Sequence, residues 1–388
     1  MGKQKIRVLF LITDLCKGGA ERSITDLCLQ FKQRDDIECV IGSLLPGNDF
    51  MEETEKLNVE VLNYQTNSLF KKSHTPAYHQ LVKDFKPHII HSNRFLAEFL
   101  TAEIIYPEVI YVCHGRDNMV QLKNLDWHTF VYKKLFLNFV EKQTLLWRKY
   151  GKTKTWFIAN SSHTRAYFEK VLPNNCKERI RIIHNGVDYR KFYNPPKKII
   201  KFGKKVKLIN IGSFQEKKNQ MFFIPIAKEL NKRGLDYEIN LIGDGEKKAE
   251  VEDLVKTNNL ESKFYFHGKV DNVEKWLRES DIYVHTAWYE PFGIVFLEAM
   301  ASGLPVVTLD GKGNRDLIKD GCNGFFIEKQ DANQFADRII QLIVDRVLYK
   351  TMSNHAQCFS KTFDMETKAQ EYYDFYKSIA SNANIAKG

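Results

Sequence analysis

Several absences narrow this sequence before anything in it is read. Its seven cysteines are scattered through 388 residues without one C-x-x-C pair, which argues against a disulfide framework and a zinc site and fits a reducing cytoplasm. No apolar run approaches the roughly 18 to 20 residues of a membrane-spanning helix. There is no D-x-D carboxylate pair, Asp244-Gly245-Glu246 being the nearest approach. Nucleic-acid-binding motifs, short repeats and low-complexity tracts are missing as well. The glycine turn after the first apolar run, Lys17-Gly18-Gly19-Ala20-Glu21-Arg22, lacks the full G-x-G-x-x-G spacing of a dinucleotide site.

What is present describes a globular chain long enough for two cores, with 43% hydrophobic and 27% charged residues. Net charge is +10, of which +7 falls in residues 1–190 and +3 in the remainder. A basic surface of this kind suits phosphorylated substrates or anionic lipid headgroups, and nucleic acid is the less favoured partner. Met1 to Thr13 carries basic residues followed by Val8-Leu9-Phe10-Leu11-Ile12 and reads as a first buried strand rather than a secretory leader.

Short runs rich in Val, Ile and Phe alternate with stretches of helical period, the pattern of βαβ units and parallel sheets. A first series of strands is expected near residues 6–13, 38–43, 59–62, 88–92, 109–114, 155–160 and 181–184. A second is expected near 207–212, 238–243, 263–267, 281–286, 305–309 and 324–327. Asn194-Pro195-Pro196 and the lysines after it interrupt the periodicity near Tyr193–Lys205. The fold class is therefore α/β, with two Rossmann-like, doubly wound parallel-sheet domains facing a cleft. They are expected at residues 1–195 and 196–364, followed by a tyrosine-rich helix and tail over 365–388.

Candidate chemistry is sought at the carboxyl ends of these strands. Gly18-Gly19 opens a helix whose amides suit phosphate or a polar sugar, although a plain strand-to-helix turn would use the same residues. His114-Gly115 ends a strand where an imidazole can donate into a cleft. Asn160-Ser161 and His184-Asn185-Gly186-Val187-Asp188 read as a helix cap and a sharp turn. Gly212-Ser213-Phe214-Gln215-Glu216-Lys217-Lys218 sets lysines beside a glycine turn, a plausible pyrophosphate grip or a solvated pair, and Gly243-Asp244-Gly245 is a similar turn one βα unit later.

The segment from Tyr289 to Val307 is the most informative. Pro291 suits the first turn of a helix that runs through Phe292–Ala301, Gly303 ends it, and Pro305-Val306-Val307 begins a strand. On this reading Glu290 precedes the helix and Glu298 lies two turns inside it, about 12 Å apart at ~1.5 Å rise per residue, too far for a ~5 Å retaining glycosidase pair. The amides near Phe292–Val295 then point toward anything anionic placed between the two carboxylates.

Residues 290–307 resemble the signature of the retaining GT-B glycosyltransferases of family 4, a Glu, seven residues and a second Glu in an E-P-F-G-x-x-x-x-E-A-M-A-x-G-x-P-V-V setting. The Gly-Gly turn, His114-Gly115, Asn160-Ser161, Asn185–Asp188, Gly212 with Lys218, Gly243-Asp244-Gly245 and Asn323-Gly324 occur in that family's order, so the likeness spans nearly the whole chain. The resemblance implies that Glu298 binds the donor ribose and Glu290 the donor sugar, with backbone from Phe292, Gly293, Ile294 and Val295 on sugar and phosphate. It further implies that Lys218 neutralises the diphosphate, that His114 hydrogen-bonds the donor sugar, and that Gly18 and Gly19 lie near phosphate or acceptor. One position departs: the family usually has Arg where this chain has Ser213, so either Lys217 or another cation replaces that charge or the donor is held differently.

The implied activity is retaining, metal-independent transfer from a nucleotide-diphosphate sugar, a co-substrate rather than a cofactor, to a glycan or lipid-linked acceptor in cell-surface polysaccharide or lipopolysaccharide synthesis. The last helix is expected to cross back to the N-terminal domain. The basic and aromatic stretch 125–150, with Trp127, Phe130, Tyr132, Lys133, Lys134, Trp147, Arg148 and Lys149, would pack its apolar side on the N-terminal sheet, touch an anionic cytoplasmic membrane face, or do both together. Two other readings stay open, a nucleotide-sugar epimerase of the same fold and a catalytically weak sugar-nucleotide-binding protein.

Overall fold

A computed structural model describes residues 5–16, 18–64, 76–114, 142–195 and 204–382. The chain divides into two compact units, Met1–Gly186 with Met365–Gly388 and Val187–Asp364. The division falls before the Tyr193–Lys205 stretch, part of which (196–203) lies outside the described residues. Residues 187–194, placed in the N-terminal half from sequence, pack on the second unit: Val187 N donates to Phe363 O at 3.0 Å, Ser302 Oγ to Phe192 O at 3.0 Å and Gln357 Nε2 to Asn194 O at 2.5 Å. Gly186 is the last residue of the first unit before the crossing, and a Cβ there would stand 3.0 Å from the Met365 backbone, where the chain returns.

Among the described residues the first unit holds seven parallel strands, β1 (Ile6–Ile12), β2 (Ile37–Ser43), β3 (Val59–Val61), β4 (Ile89–Asn93), β5 (Ile110–His114), β6 (Trp156–Ala159) and β7 (Ile180–Ile182), in the order β3-β2-β1-β4-β5-β6-β7. The second holds six, β8 (Val206–Ile211), β9 (Tyr237–Ile242), β10 (Phe264–Gly268), β11 (Ile282–His285), β12 (Val306–Leu309) and β13 (Gly324–Ile327), in the order β10-β9-β8-β11-β12-β13. Parallel strands covered on both faces are apolar throughout, which is why Val8 to Ile12 is fully buried. In each sheet the strand order reverses once, at β1/β4 and at β8/β11, and such reversals leave a crevice beyond the carboxyl ends. Gly18-Gly19 follows β1, Lys217-Lys218 follows β8 and Glu290 follows β11.

The helix Met365–Asn382 belongs to the first unit. Its Tyr372, Tyr373, Phe375, Tyr376 and Ile379 share one core with Val8, Phe10 and Ile12, each buried aromatic contributing ~1.5–3 kcal/mol. Its outer edge is tied by Tyr373 Oη donating to Asp36 Oδ2 at 2.5 Å and by the Arg34 guanidinium 3.8 Å over the Tyr373 ring.

Of the basic and aromatic stretch 125–150, residues 125–141 lie outside the described residues and Lys142–Tyr150 forms a π-helix. Trp147 is 61% exposed, while Leu145 and Tyr150 join a core with Phe157 and Phe168. Lys149 is no surface cation. It is fully buried, with Nζ 2.8 Å from Glu98 Oε1 and 2.6 Å from Thr101 Oγ1, and Tyr150 Oη donates to Glu98 Oε2 at 2.7 Å. Burial alone would raise the Glu98 carboxyl, but the Lys149 charge and the hydrogen bonds from Lys149, Ser92 and Tyr150 hold it below the usual carboxylate range.

Candidate active site

In the second unit the chain leaves β11 at His285 and reaches Glu290 through Thr286-Ala287-Trp288-Tyr289. Glu290 is fixed there by its own backbone. Its N–H donates to Gly311 O at 2.7 Å, and its carbonyl accepts from Gly313 N at 3.0 Å. Only glycine permits this crossing: a Cβ on Gly313 would run into the Pro291 carbonyl, and one on Gly311 would stand 2.8 Å from Glu290 Cβ. Lys312, between them, has φ +75, a conformation non-glycine residues rarely hold. The loop is clasped by Asp310, which meets Lys312 Nζ at 2.7 Å and Arg315 Nε at 3.0 Å. Burial would raise the Asp310 carboxyl, yet these cations hold it down to about 2.

After Glu290 the chain turns at Gly293, φ +86, where a Cβ would lie 2.5 Å from the Phe296 ring and 3.0 Å from Glu290 Cγ. The helix therefore begins at Ile294, three residues later than the position Pro291 suggests, and runs to Ala301. Phe292 drops into the core at 2% exposure, so only its backbone can face a ligand. Glu298 is the fifth helical residue, little more than one turn inside rather than two. The amides of Ile294 and Val295 belong to the first turn and have no partner within the helix.

The Lys218 ammonium rests on Glu290 Oε2, its stem passing over Gly212, where a Cβ would come within 3.8–4.0 Å of Cδ, Cε and Nζ. Gly243, φ +134, packs against Gly212, since a Cβ there would collide with Gly212 O, and Asp244 O accepts from Phe214 N at 3.0 Å. Ser213 O accepts from Gln220 Nε2 at 3.1 Å, and Lys217 O from Trp288 N at 3.2 Å. Contacts thus link Gly212, Ser213, Lys217, Lys218, Gly243, Asp244, Glu290 and Gly293 into one neighbourhood, bordered by the helix that carries Ile294, Val295 and Glu298.

Behind Glu290 stands a group that the sequence reading did not single out. His285, 1% exposed, has Nε2 at 3.3 Å from Glu290 Oε2 and Nδ1 at 3.0 Å from Tyr283 Oη and 3.4 Å from Asn210 Nδ2. Burial would raise the Glu290 carboxyl, but the Lys218 charge and the His285 contact outweigh it and hold it far below its usual range. Burial lowers the His285 imidazole, so it is neutral near pH 7, and burial with the charges of Glu290 and Glu298 raises the Tyr283 phenol. The signal available in sequence was a polar residue inside an otherwise apolar parallel strand: His285 in Ile-Tyr-Val-His and Asn210 in Ile-Asn-Ile.

The first unit carries the other candidates. His114 ends β5 with its ring centroid 5.3 Å from His91 and 6.2 Å from Tyr372, whose hydroxyl is 3.3 Å from Nδ1. Burial pulls this imidazole down to about 4 against an opposing hydrogen bond with Asn185, leaving it neutral near pH 7. Gly115 and Lys17 lie outside the described residues. The Gly18-Gly19 turn carries its own carboxylate, since Glu21 is 1% exposed in the first helical turn and meets Arg94 Nη2 at 2.7 Å. Ser161 Oγ accepts from Thr164 N at 3.1 Å, so this residue acts as the helix cap.

Two family models match the chain in tandem, Glycosyltransferase Family 4 over residues 17–191 and Glycosyl transferases group 1 over residues 194–358. N-acetyl-alpha-D-glucosaminyl L-malate synthase of Bacillus anthracis is 31% identical over 230 residues, 57% of this chain and 58% of that protein. The UDP-Gal:alpha-D-GlcNAc-diphosphoundecaprenol alpha-1,3-galactosyltransferase of Escherichia coli is 26% identical over 217 residues, 53% of this chain and 55% of that protein. These matches span little more than half the length of either relative. The crystal structure of Anabaena HepE in complex with UDP and glucose superposes with a TM-score of 0.76 at 23% identity, covering 96% of this chain and all of that one, which shows the shared fold. With both family models matched end to end and a parallel-sheet unit under each, the chain belongs to the GT-B glycosyltransferases of family 4, the glycosyl transferases group 1.

Proposed function

We propose that this protein transfers a sugar, with retention and without a metal, from a nucleotide-diphosphate sugar to a glycan or lipid-linked acceptor at the cytoplasmic face of a membrane, in cell-surface polysaccharide or lipopolysaccharide synthesis. The observation that carries this reading is the nearly buried Glu290 carboxylate, held ionised beside Lys218 and the start of the Ile294–Ala301 helix. A carboxylate so placed accepts hydroxyls of a donor sugar. The first-turn amides of Ile294 and Val295, with Lys218 and Lys217, suit the diphosphate, and Glu298 suits the ribose. Lys217 supplies the charge that Ser213 lacks.

In the reaction the bond from the anomeric carbon to the diphosphate oxygen breaks, and the acceptor oxygen bonds to the same face of that carbon. The acceptor's proton passes to the departing phosphate oxygen. Positive charge grows at the sugar and negative charge on the diphosphate, so donors already aimed at the diphosphate lower the barrier most. Neutral His114 serves as a hydrogen-bond donor to the sugar. The lipid-linked acceptor is supported by the basic first unit and by the E. coli relative named for a diphosphoundecaprenol-linked substrate.

A thermal-shift screen with UDP, GDP, ADP and their common sugar conjugates tests the donor half, a ligand at 100 times its Kd stabilising by about 2.7 kcal/mol. One nucleotide family is expected to raise the melting temperature; no shift with any of them overturns the reading. Sugar transfer into a lipid extract, with Glu290→Gln slower by about a hundredfold or more, tests the acceptor half. Failure to bind anionic liposomes at low salt would remove the membrane contact.

A further inference from the structure

We propose that His285 is a positioning residue for the donor site, its Nε2–H clamping one oxygen of the Glu290 carboxylate so that the other is presented to the donor sugar. The proposal deepens the reading of Glu290 as the sugar contact and rests on it.

The ring's own neighbours set its tautomer. Asn210 Nδ2 donates to Val284 O at 2.9 Å, which fixes the amide with its NH2 toward the imidazole, and Nδ1 lies 3.4 Å from that same group. Tyr283 Oη stands closer to Nδ1, at 3.0 Å, than to its other acceptor, Ile211 O, at 3.4 Å. Two donors therefore face Nδ1, while the group facing Nε2 is an acceptor, Glu290 Oε2, at 3.3 Å. The proton belongs on Nε2.

The carboxylate is divided by these contacts. Lys218 Nζ and His285 Nε2 both fall on Oε2, and among the described residues none donates to Oε1. A side chain nine-tenths buried, with one oxygen held by the Lys218 ammonium and faced at 3.3 Å by a His285 Nε2 that has no other partner among the described residues, leaves its second oxygen as a preorganised acceptor for a hydroxyl pair. His285 can hold it without moving: its ring packs 4.7 Å from Phe296 and 5.8 Å from Tyr283, and it lies at the end of β11. The titratable and charged groups at the ring are Glu290, Lys218 and Tyr283.

Two measurements decide it. In the ligand-free protein with 15N-labelled histidine, assigned with His285→Gln, the imidazole is expected to be the Nε2–H tautomer with a proton shift that changes in Glu290→Gln. An Nδ1–H tautomer, or no response to Glu290→Gln, overturns the clamp whether or not any donor binds. The second uses UDP and UDP-glucose as probes on His285→Leu and His285→Gln, since the glutamine amide reaches roughly where Nε2 stands. UDP affinity should stay within about twofold in both variants, while the extra affinity or turnover due to the glucose moiety falls about tenfold or more in Leu and returns to within about threefold in Gln. Equal losses for UDP and UDP-glucose, or no rescue by Gln, would mean a purely structural histidine. A wild type that binds neither probe, while the first measurement succeeds, counts against the sugar-site reading and leaves the clamp standing.

Discussion

His91 and His285 are buried imidazoles and His114 is a half-buried one, and the proton affinity of all three is lowered, with desolvation the leading cause in each. An unfolded histidine takes its proton below about pH 6.5, whereas His114 in the folded chain waits until about 4. Between those values the unfolded state holds more protons, so stability rises with pH and is lost on acidification. The gap at His114 corresponds to as much as about 3 kcal/mol at ~1.36 kcal/mol per unit. We expect the melting temperature of the first unit to fall from pH 6.5 to 4, and His114→Gln to flatten that slope; an unchanged slope would show the ring is not protected from protons. The Glu98–Lys149 pair makes a second prediction at this scale. Removing one partner of a fully buried pair strands the other, so Lys149→Met should cost about 3–5 kcal/mol in urea unfolding, and adding Glu98→Gln should recover part of it. If the single variant were neutral, the pair would have to be wet.

Among the elements, the loop that crosses Glu290 is the most demanding. A methyl at position 313 must displace either the Pro291 carbonyl or the loop, and both displacements move the backbone that holds Glu290. Gly313→Ala is therefore expected to abolish donor-induced thermal stabilisation. Gly321→Ala, at φ +71 with open space around it, should cost only ~1 kcal/mol and leave donor binding alone. Equal donor binding in the two variants would sever the loop from the site.

These same elements show what sequence can and cannot tell. The strands of the described residues were legible, the inner ones because parallel strands covered on both faces must be nearly continuous runs such as Val8–Ile12 or Val306–Leu309, and the more exposed edge strands β3 and β10 because short Val- or Phe-rich runs stand between stretches of helical period. Glu290, Gly293 and Lys218 were placed in one site by their resemblance to the family's motif, while the ion pair of Lys218 with Glu290 was not foreseen because the two lie 72 residues apart. The helix start was not, because Pro291 alone fits a first turn, whereas the chain spends Phe292 on the core and Gly293 on a left-handed turn first. His285 was hidden because the ends of a buried strand look alike in sequence whether the polar residue there is merely satisfied or holds a functional group. Lys149 looked like a surface cation because its partner, Glu98, is 51 residues away in the chain.

The whole molecule consists of two units with separate cores, and the residues proposed to hold the donor are divided unevenly between them. Ser213, Lys217, Lys218, Gly243, Glu290, Glu298 and the Ile294–Ala301 helix all lie in 187–364, so a nucleotide diphosphate should stabilise that unit first. Calorimetry should then resolve two transitions, of which UDP at 100 times its Kd raises one by about 5–10 °C, the shift expected when about 2.7 kcal/mol is added to a unit of that size. Tyr376→Ala supplies the other label. It empties a fully buried position in the core beneath β1 and removes the hydroxyl partner of His91, so about 3–5 kcal/mol should be lost from the first unit alone. Were UDP to raise the transition that Tyr376→Ala lowers, while the other stayed fixed, the nucleotide would be held by the wrong half of the chain, and the roles assigned to Lys218 and the helix at Ile294 would fall with it.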